Sequence, residues 1–265
     1  MSAAGEVLFD LRDIERSYPA PRGGFLRRAP HIAALHEVDL TVRRGENLGI
    51  IGESGAGKST LLRLITALDQ PHSGSIHYRG QELRADRPRS LHRFRREVQM
   101  VFQDPMSSLD PRWSVRDIVA EPLVCLGIEG DHQQRVTQVL RDVELEPAVA
   151  QRRPAELSGG QRQRVALARA MAPGPEVLVA DEPVSALDVS TRARMLELLS
   201  RMVRENGLTL VLVSHDLGVV RRLCDAVAIL ESGHLVEQGP VEEVFHAPRS
   251  SCTRKLIDAV PRIPS

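Results

Sequence analysis

The chain has 265 residues, 42% of them apolar, enough for a sizeable core without disulfide or metal staples, and its 35 basic and 35 acidic residues cancel. Balanced charge argues against nucleic acid as the main partner, because binding to a phosphate backbone draws on a basic excess. No run of about 18 or more apolar residues occurs, and Met1 to Phe9 lacks the basic start and apolar stretch of a signal peptide, so the expectation is a cytosolic chain that spans no membrane.

Val7-Leu8-Phe9-Asp10-Leu11 and the alternating Val38, Leu40 and Val42 predict antiparallel strands with one buried face, separated by a Pro/Gly/Arg loop from Pro19 to Pro30. Leu48-Gly49-Ile50-Ile51 is a short apolar run ending at Gly52, and a helical pattern covers Ser59 to Leu68, the strand, loop and helix order of an α/β unit. Ser73-Gly74 and Gly80 bracket an edge strand, and Val98 to Phe102 is strand-like. Val115 to Ala150 has helical spacing and reads as a helical insertion. A helix over Gly160 to Met171, strands at Val177 to Ala180, Thr209 to Val213 and Ala226 to Leu230, and a helix over Val189 to Glu205 then alternate, which implies a mostly parallel sheet. Val241 to Val260 reads as short amphipathic helices broken at Pro248. Cys125, Cys224 and Cys252 have no CxxC spacing and are expected to be reduced thiols. The arginine run from Arg84 to Arg96, with Arg87, Arg89, Arg93 and Arg95, reads as a solvated helix face, with lipid headgroups or nucleic acid as the alternatives.

Lys58 and Lys255 are the only lysines. A lysine kept in an arginine-rich chain points to a position that needs a slim, pointlike ammonium. Lys58 lies in Gly52-Glu53-Ser54-Gly55-Ala56-Gly57-Lys58-Ser59, which fits GxxxxGK(S/T) in the strand-to-helix context the pattern requires. Small residues let backbone N–H groups turn inward around phosphate oxygens, and the helix start, with Thr60 in its first turn, adds its dipole. Lys58 then reaches the β/γ-phosphates and the Ser59 hydroxyl binds Mg²⁺. The plain alternative is a Gly-rich turn.

Val177-Leu178-Val179-Ala180-Asp181-Glu182 is an apolar strand ending in two carboxylates. Beside a Mg²⁺-bound nucleotide, one such group holds the metal shell and another acts on water, which assigns Asp181 to Mg²⁺ through a water and Glu182 to the attacking water. Leu157-Ser158-Gly159-Gly160-Gln161 opens the helix that runs to Met171 and offers a second anion site, made of a hydroxyl, flexible glycines and a helix N-terminus. A serine-capped helix without a ligand is the alternative.

With two phosphate-binding helix starts in one chain, the sequence resembles an ABC transporter ATPase, whose signature motif is this pentapeptide. The resemblance implies an α/β fold: a P-loop NTPase core with a mostly parallel sheet, an N-terminal antiparallel β subdomain and an inserted helical signalling subdomain over about residues 104–156. These would form a single domain over 1–265, with a short C-terminal extension from about 240. It assigns Tyr18 to stacking on adenine, Gln103 to the γ-phosphate, the Mg²⁺ and the membrane partner, Ser185-Ala186-Leu187-Asp188 to the loop coupling two subunits, and His215 to the switch histidine. Catalysis then rests on Glu182, His215 and Gln103. ATP contacts rest on Tyr18, residues 52–60, Ser158, Gly159, Gly160, Gln161 and Asp188.

The resemblance further implies a head-to-tail pair with a second ABC ATPase subunit, either the same chain or a paralogue. Transmembrane permease subunits would dock beside Gln103 at the cytoplasmic face of the membrane, and an extracytoplasmic solute-binding protein would act indirectly. Tyr18-Pro19 with Gly23-Gly24-Phe25, Phe102-Gln103-Asp104-Pro105 through Ser108-Leu109-Asp110-Pro111, Asp188-Val189-Ser190 and the tail Thr253-Arg254-Lys255-Leu256 resemble the ATPases of peptide and nickel importers, the peptide members more closely. Ser251-Cys252 departs from the Pro-Tyr usual in that group, which leaves the tail's role in docking open. The competing reading is a soluble ABC ATPase outside transport. Its DNA-repair members carry long coiled coils between the phosphate loop and the signature, and its ribosome-directed members join two cassettes; this sequence has neither pattern.

Overall fold

The alternation at the N-terminus becomes two long strands, β1 (Val7–Pro19) and β2 (His31–Arg43), paired antiparallel with Phe9 opposite Val42 and Leu11 opposite Leu40. Phe9, Leu11, Ile14, Val38, Leu40 and Val42 are all buried. β1 runs past the apolar opening because Ile14 resumes the buried face after an irregularity at Asp13, which takes a φ of 51° and donates its N–H to Asp39 Oδ1 at 2.9 Å. The computed structural model describes residues 5–19, 31–86, 91–104 and 108–259. The Gly23-Gly24-Phe25 loop, Arg87, Arg89, residues 105–107 and Val260 lie outside them.

The chain packs as two compact units, residues 1–91 with 212–265, and residues 92–211. In the first, β3 (Leu48–Gly52) is buried throughout and leads to α1 (Lys58–Ile65), which buries Leu61, Leu62, Leu64 and Ile65. The helix stops short of Leu68 because Ala67 turns left-handed at φ 52° and the Leu68 N–H closes back on Arg63 O at 2.9 Å. β4 (Ser73–Tyr78) and β5 (Gln81–Glu82) complete an antiparallel sheet in the order β2-β1-β4-β5.

The second unit begins with α2 (His92–Glu97), where Phe94 is buried and Arg93, Arg95 and Arg96 are exposed; the helix covers only this end of the arginine run, and Arg84 lies before it in non-helical chain. It continues through β6 (Val98–Val101), α3 (Val115–Cys125) and α4 (His132–Asp142) to two 3₁₀ turns at Pro147–Gln151 and Pro154–Glu156. Thus the helical stretch from Val115 is broken where Gly127 and Glu144 take positive φ, 55° and 57°. Then follow α5 (Gly159–Met171), β7 (Val177–Asp181) and α6 (Val189–Asn206), and β8 (Thr209–Val213) carries the chain from the second unit into the first. β6 and β7 pair in parallel, Val98 opposite Val177, with β8 beside β7. α3 and α4 both pack on α5.

The chain then returns to the first unit with α7 (Leu217–Leu223), β9 (Ala226–Glu231), β10 (His234–Pro240), α8 (Val241–His246) and α9 (Ser251–Asp258). β9 runs parallel to β3, with Ile50 opposite Ala228, and β10 is its antiparallel neighbour. Parallel pairing around the strand that feeds α1, together with a separate antiparallel sheet, is the expected P-loop NTPase architecture. The atypical tail is anchored: Glu237 accepts hydrogen bonds from the N–H groups of Arg249 (2.9 Å) and Ser250 (3.0 Å) and from the buried Thr253 hydroxyl (2.6 Å). All three cysteines are free, Cys224 and Cys252 buried and Cys125 exposed.

Candidate nucleotide site

The loop between β3 and α1 has the form of an anion cradle. Gly55 and Gly57 take left-handed φ of 82° and 104°, a backbone that glycine adopts without steric cost. A Cβ at Gly57 would stand 2.5 Å from Ala34 O, so only glycine fits there. Lys58 bridges the loop, donating from Nζ to Gly52 O and Glu53 O at 2.7 Å each. These bonds tie Lys58 to the start of the loop, in which Glu53, Ser54, Gly55 and Ser59 are exposed, Thr60 is half-buried and Ala56 is buried. An exposed hydroxyl, a point cation and a glycine-shaped loop at a helix start suit a nucleoside polyphosphate.

Two more expected residues lie in this unit. His215 is exposed two residues after β8, in a turn where the Asp216 N–H donates to Ser214 Oγ at 3.0 Å and the Ser214 N–H to Ile50 O at 3.3 Å. Tyr18, near the end of β1, donates its hydroxyl to Asp69 Oδ2 at 2.8 Å, and Arg16 Cζ stands 4.8 Å from its ring centroid. Burial works to raise the Asp69 pKa, but the Tyr18 hydroxyl, the Gln70 N–H and the Arg16 guanidinium outweigh it and hold the carboxyl below its ordinary value. Neither Asp69 nor Arg16 is marked by sequence pattern.

In the second unit, β7 delivers Asp181 and Glu182 from four buried apolar residues to a half-buried end. Glu182 takes a left-handed φ of 42°, uncommon for a non-glycine residue, and its carbonyl accepts from the Ser185 N–H (3.2 Å) and hydroxyl (3.1 Å). Its carboxylate accepts a hydrogen bond from Gln103 Nε2 at 3.1 Å.

The same unit carries the Leu157 to Gln161 pentapeptide. Ser158 caps α5 reciprocally: its Oγ accepts from the Gln161 N–H at 3.2 Å and its own N–H donates to Gln161 Oε1 at 3.0 Å. Gly159 is open, while a Cβ at Gly160 would meet Thr191 Cγ2 at 2.7 Å, so a small residue lets the start of α5 approach α6. Asp188 caps α6, accepting from the Thr191 N–H (3.0 Å), the Ser190 hydroxyl (2.8 Å) and the Ser190 N–H (3.1 Å), and these bonds, Thr191 foremost, hold its carboxyl well below the carboxylate range. Ser158, Gly159, Gly160, Gln161 and Asp188 share one open cleft of about 570 Å³. Glu144, unmarked in the sequence, accepts from Arg201 Nη2 at 2.7 Å and Arg164 Nη1 at 2.8 Å, joining the end of α4 to both signature-side helices.

A phosphate-cradling loop between β3 and α1, with carboxylates at the end of β7, defines a P-loop nucleoside triphosphatase. The family model described as ABC transporter matches residues 35–185. The chain is 39% identical over 258 residues to the oligopeptide transport ATP-binding protein OppF of Lactococcus lactis, covering 97% of this chain and 81% of that one. It is 42% identical over 261 residues to the di/tripeptide transport ATP-binding protein DppF of Pseudomonas aeruginosa, covering 97% and 80%. The ATP-binding cassette MJ0796, solved as a dimer in a post-hydrolysis state with ADP and Pi, matches with a TM-score of 0.77 at 32% identity, covering 88% of this chain and 99% of that one. The chain belongs to the ABC transporter family and is an ATP-binding, ATP-hydrolysing subunit of that class. No helix among the described residues is long and apolar enough to cross a membrane.

Proposed function

We propose that this chain energises peptide uptake as one of two ATPase subunits at the cytoplasmic face of a membrane transporter. The observation that carries the chemistry is the 3.1 Å bond from Gln103 Nε2 to Glu182 Oε2. A neutral amide sets the direction of the carboxylate without cancelling its charge, as a group that polarises an attacking water requires.

Lys58 and the 52–60 backbone hold the β- and γ-phosphates, and Tyr18 stacks on adenine. Ser59 and Asp181 would hold Mg²⁺, Asp181 through a water, with Gln103 contributing; hydroxyl and carboxylate oxygens are the donors this hard cation takes. When bound, Mg²⁺ neutralises charge on the β- and γ-oxygens. Glu182 acts on the water and His215 serves as the switch residue. Ser158, Gly159, Gly160, Gln161 and Asp188 serve the nucleotide of the paired subunit, a reading supported by the dimeric state of MJ0796.

Residues 1–265 act as a single ATPase domain whose helical part, about 104–156, signals to transmembrane permeases. Phe102 and Trp113, 39% and 41% exposed, offer apolar contact near Gln103 in the sequence. An extracytoplasmic solute-binding protein supplies the cargo. Peptides are favoured over nickel because the relatives above carry the names of oligopeptide and di/tripeptide transport proteins. A strain lacking the gene, given an essential amino acid only as di- or tripeptides, is expected to stop growing and to recover with the wild-type gene but not with Glu182→Gln. Undiminished growth on peptides together with lost nickel uptake would reverse the assignment.

A further inference from the structure

The phenol of Tyr18 is fixed twice over within the first unit. Its hydroxyl donates to Asp69 Oδ2 at 2.8 Å, and the Arg16 guanidinium lies over its ring, 4.8 Å from the centroid. Asp69 also accepts both arms of that guanidinium, Nε at 3.1 Å and Nη2 at 2.7 Å, and the two side chains are only 16% and 18% exposed. The remaining arm, Nη1, faces His72 Nε2 at 3.1 Å, and His72 Nδ1 accepts the Ser17 N–H at the same distance. The ring therefore keeps little rotational freedom, and a flat ligand can stack only on the face opposite Arg16. Asp69 follows the C-terminal end of α1, the helix whose first residues are Lys58 and Ser59.

We propose that Asp69 and Arg16 are positioning residues for the nucleobase, referencing the Tyr18 ring to the phosphate-binding helix. This rests on the reading of Tyr18 as the stacking ring. Protein groups alone order the ring, so less freedom is lost on binding and the gain appears in affinity. Both Asp69 oxygens are occupied by Tyr18 and Arg16, so this pair contributes by orienting the stack rather than by reading base edges.

The test is equilibrium binding of the full chain to ATP and to inorganic tripolyphosphate, which carries the phosphate charge without a base. Tyr18→Ala is expected to weaken ATP about tenfold. Tyr18→Phe and Asp69→Ala are each expected to weaken it about threefold, and the double variant no more than either single one. Tripolyphosphate affinity should stay unchanged throughout, with KM for ATP raised and kcat preserved. If Asp69→Ala binds ATP like the wild type while Tyr18→Ala does not, the positioning role falls and the stacking reading stands. Equal losses for ATP and tripolyphosphate would reduce Asp69 to a structural residue and overturn the inference. An unaffected Tyr18→Ala would remove both. Should Asp69→Ala fail to fold, Tyr18→Phe, which deletes one oxygen, carries the test.

Discussion

Gln103 and Glu182, 79 positions apart, meet through a 3.1 Å hydrogen bond, and Glu182 holds its place at a left-handed φ of 42°. Glu182→Gln leaves an amide oxygen for Gln103 to donate to, so the fold and ATP affinity are expected to survive. Loss of the charge should lower ATP turnover by about 10²-fold or more. Lys58→Ala, in contrast, should lose ATP binding. Phosphate release and nucleotide affinity measured side by side separate the two; a Glu182→Gln chain turning over at the wild-type rate would remove Glu182 from catalysis.

Ser158→Arg is expected to leave the chain's own nucleotide affinity nearly intact while stopping hydrolysis. Losing the cap to the Gln161 N–H also costs about 1 kcal/mol of stability, which a Ser158→Ala control reports alone. Mixing Lys58→Ala with Ser158→Arg chains leaves one composite site whole. Partial return of activity in verified heterodimers is the expected result, and an inactive mixture would count against shared sites.

At Gly57, φ is 104° and an added Cβ would lie 2.5 Å from a backbone oxygen. Gly57→Ala therefore combines a left-handed penalty with a clash that no side-chain rotation relieves, about 2 kcal/mol or more together. Thermal unfolding should shift down by about 5 °C or more, with ATP binding lost. Gly55→Ala, at φ 82° but facing open space, should cost less.

Glu144 bonds to Arg201 and then Arg164, which holds its carboxyl below the ordinary 4.5. Since folding lowers this pKa, the stabilisation is complete above about pH 4.5 and fades as pH falls through and below that value. Glu144 is 46% exposed, so solvent screening limits the contribution to about 1 kcal/mol. Glu144→Gln should lower the urea midpoint at pH 7, and the gap from the wild type should narrow as the pH drops toward 3. A gap that stays constant with pH would show that charge is not what the clamp contributes.

Much of the site was legible locally. Gly52 to Ser59 is read from spacing because the cradle is built from contiguous backbone, and Ser158 with Gln161 reads as a helix start because a cap is satisfied within one turn. Helix ends were less legible. α1 closes at a left-handed Ala67, a conformation that an alanine does not announce, and the stretch from Val115 divides at Gly127 and at the equally unannounced Glu144.

The sequence by itself determined the phosphate loop, the acidic end of β7, the signature helix and the strand-helix alternation around them, because each is a short-range pattern of backbone freedom, apolar period or capping. Only the tertiary structure decided which distant groups meet: Tyr18 with Asp69 across 51 positions, Gln103 with Glu182 across 79, and Glu144 with Arg164 and Arg201 across 20 and 57. Those meetings depend on strand register and on where each helix stops, and burial of the two cores settles both. An arginine, an aspartate or a glutamine on a half-exposed surface has many partners open to it until the packing beneath fixes the direction in which its side chain leaves the backbone.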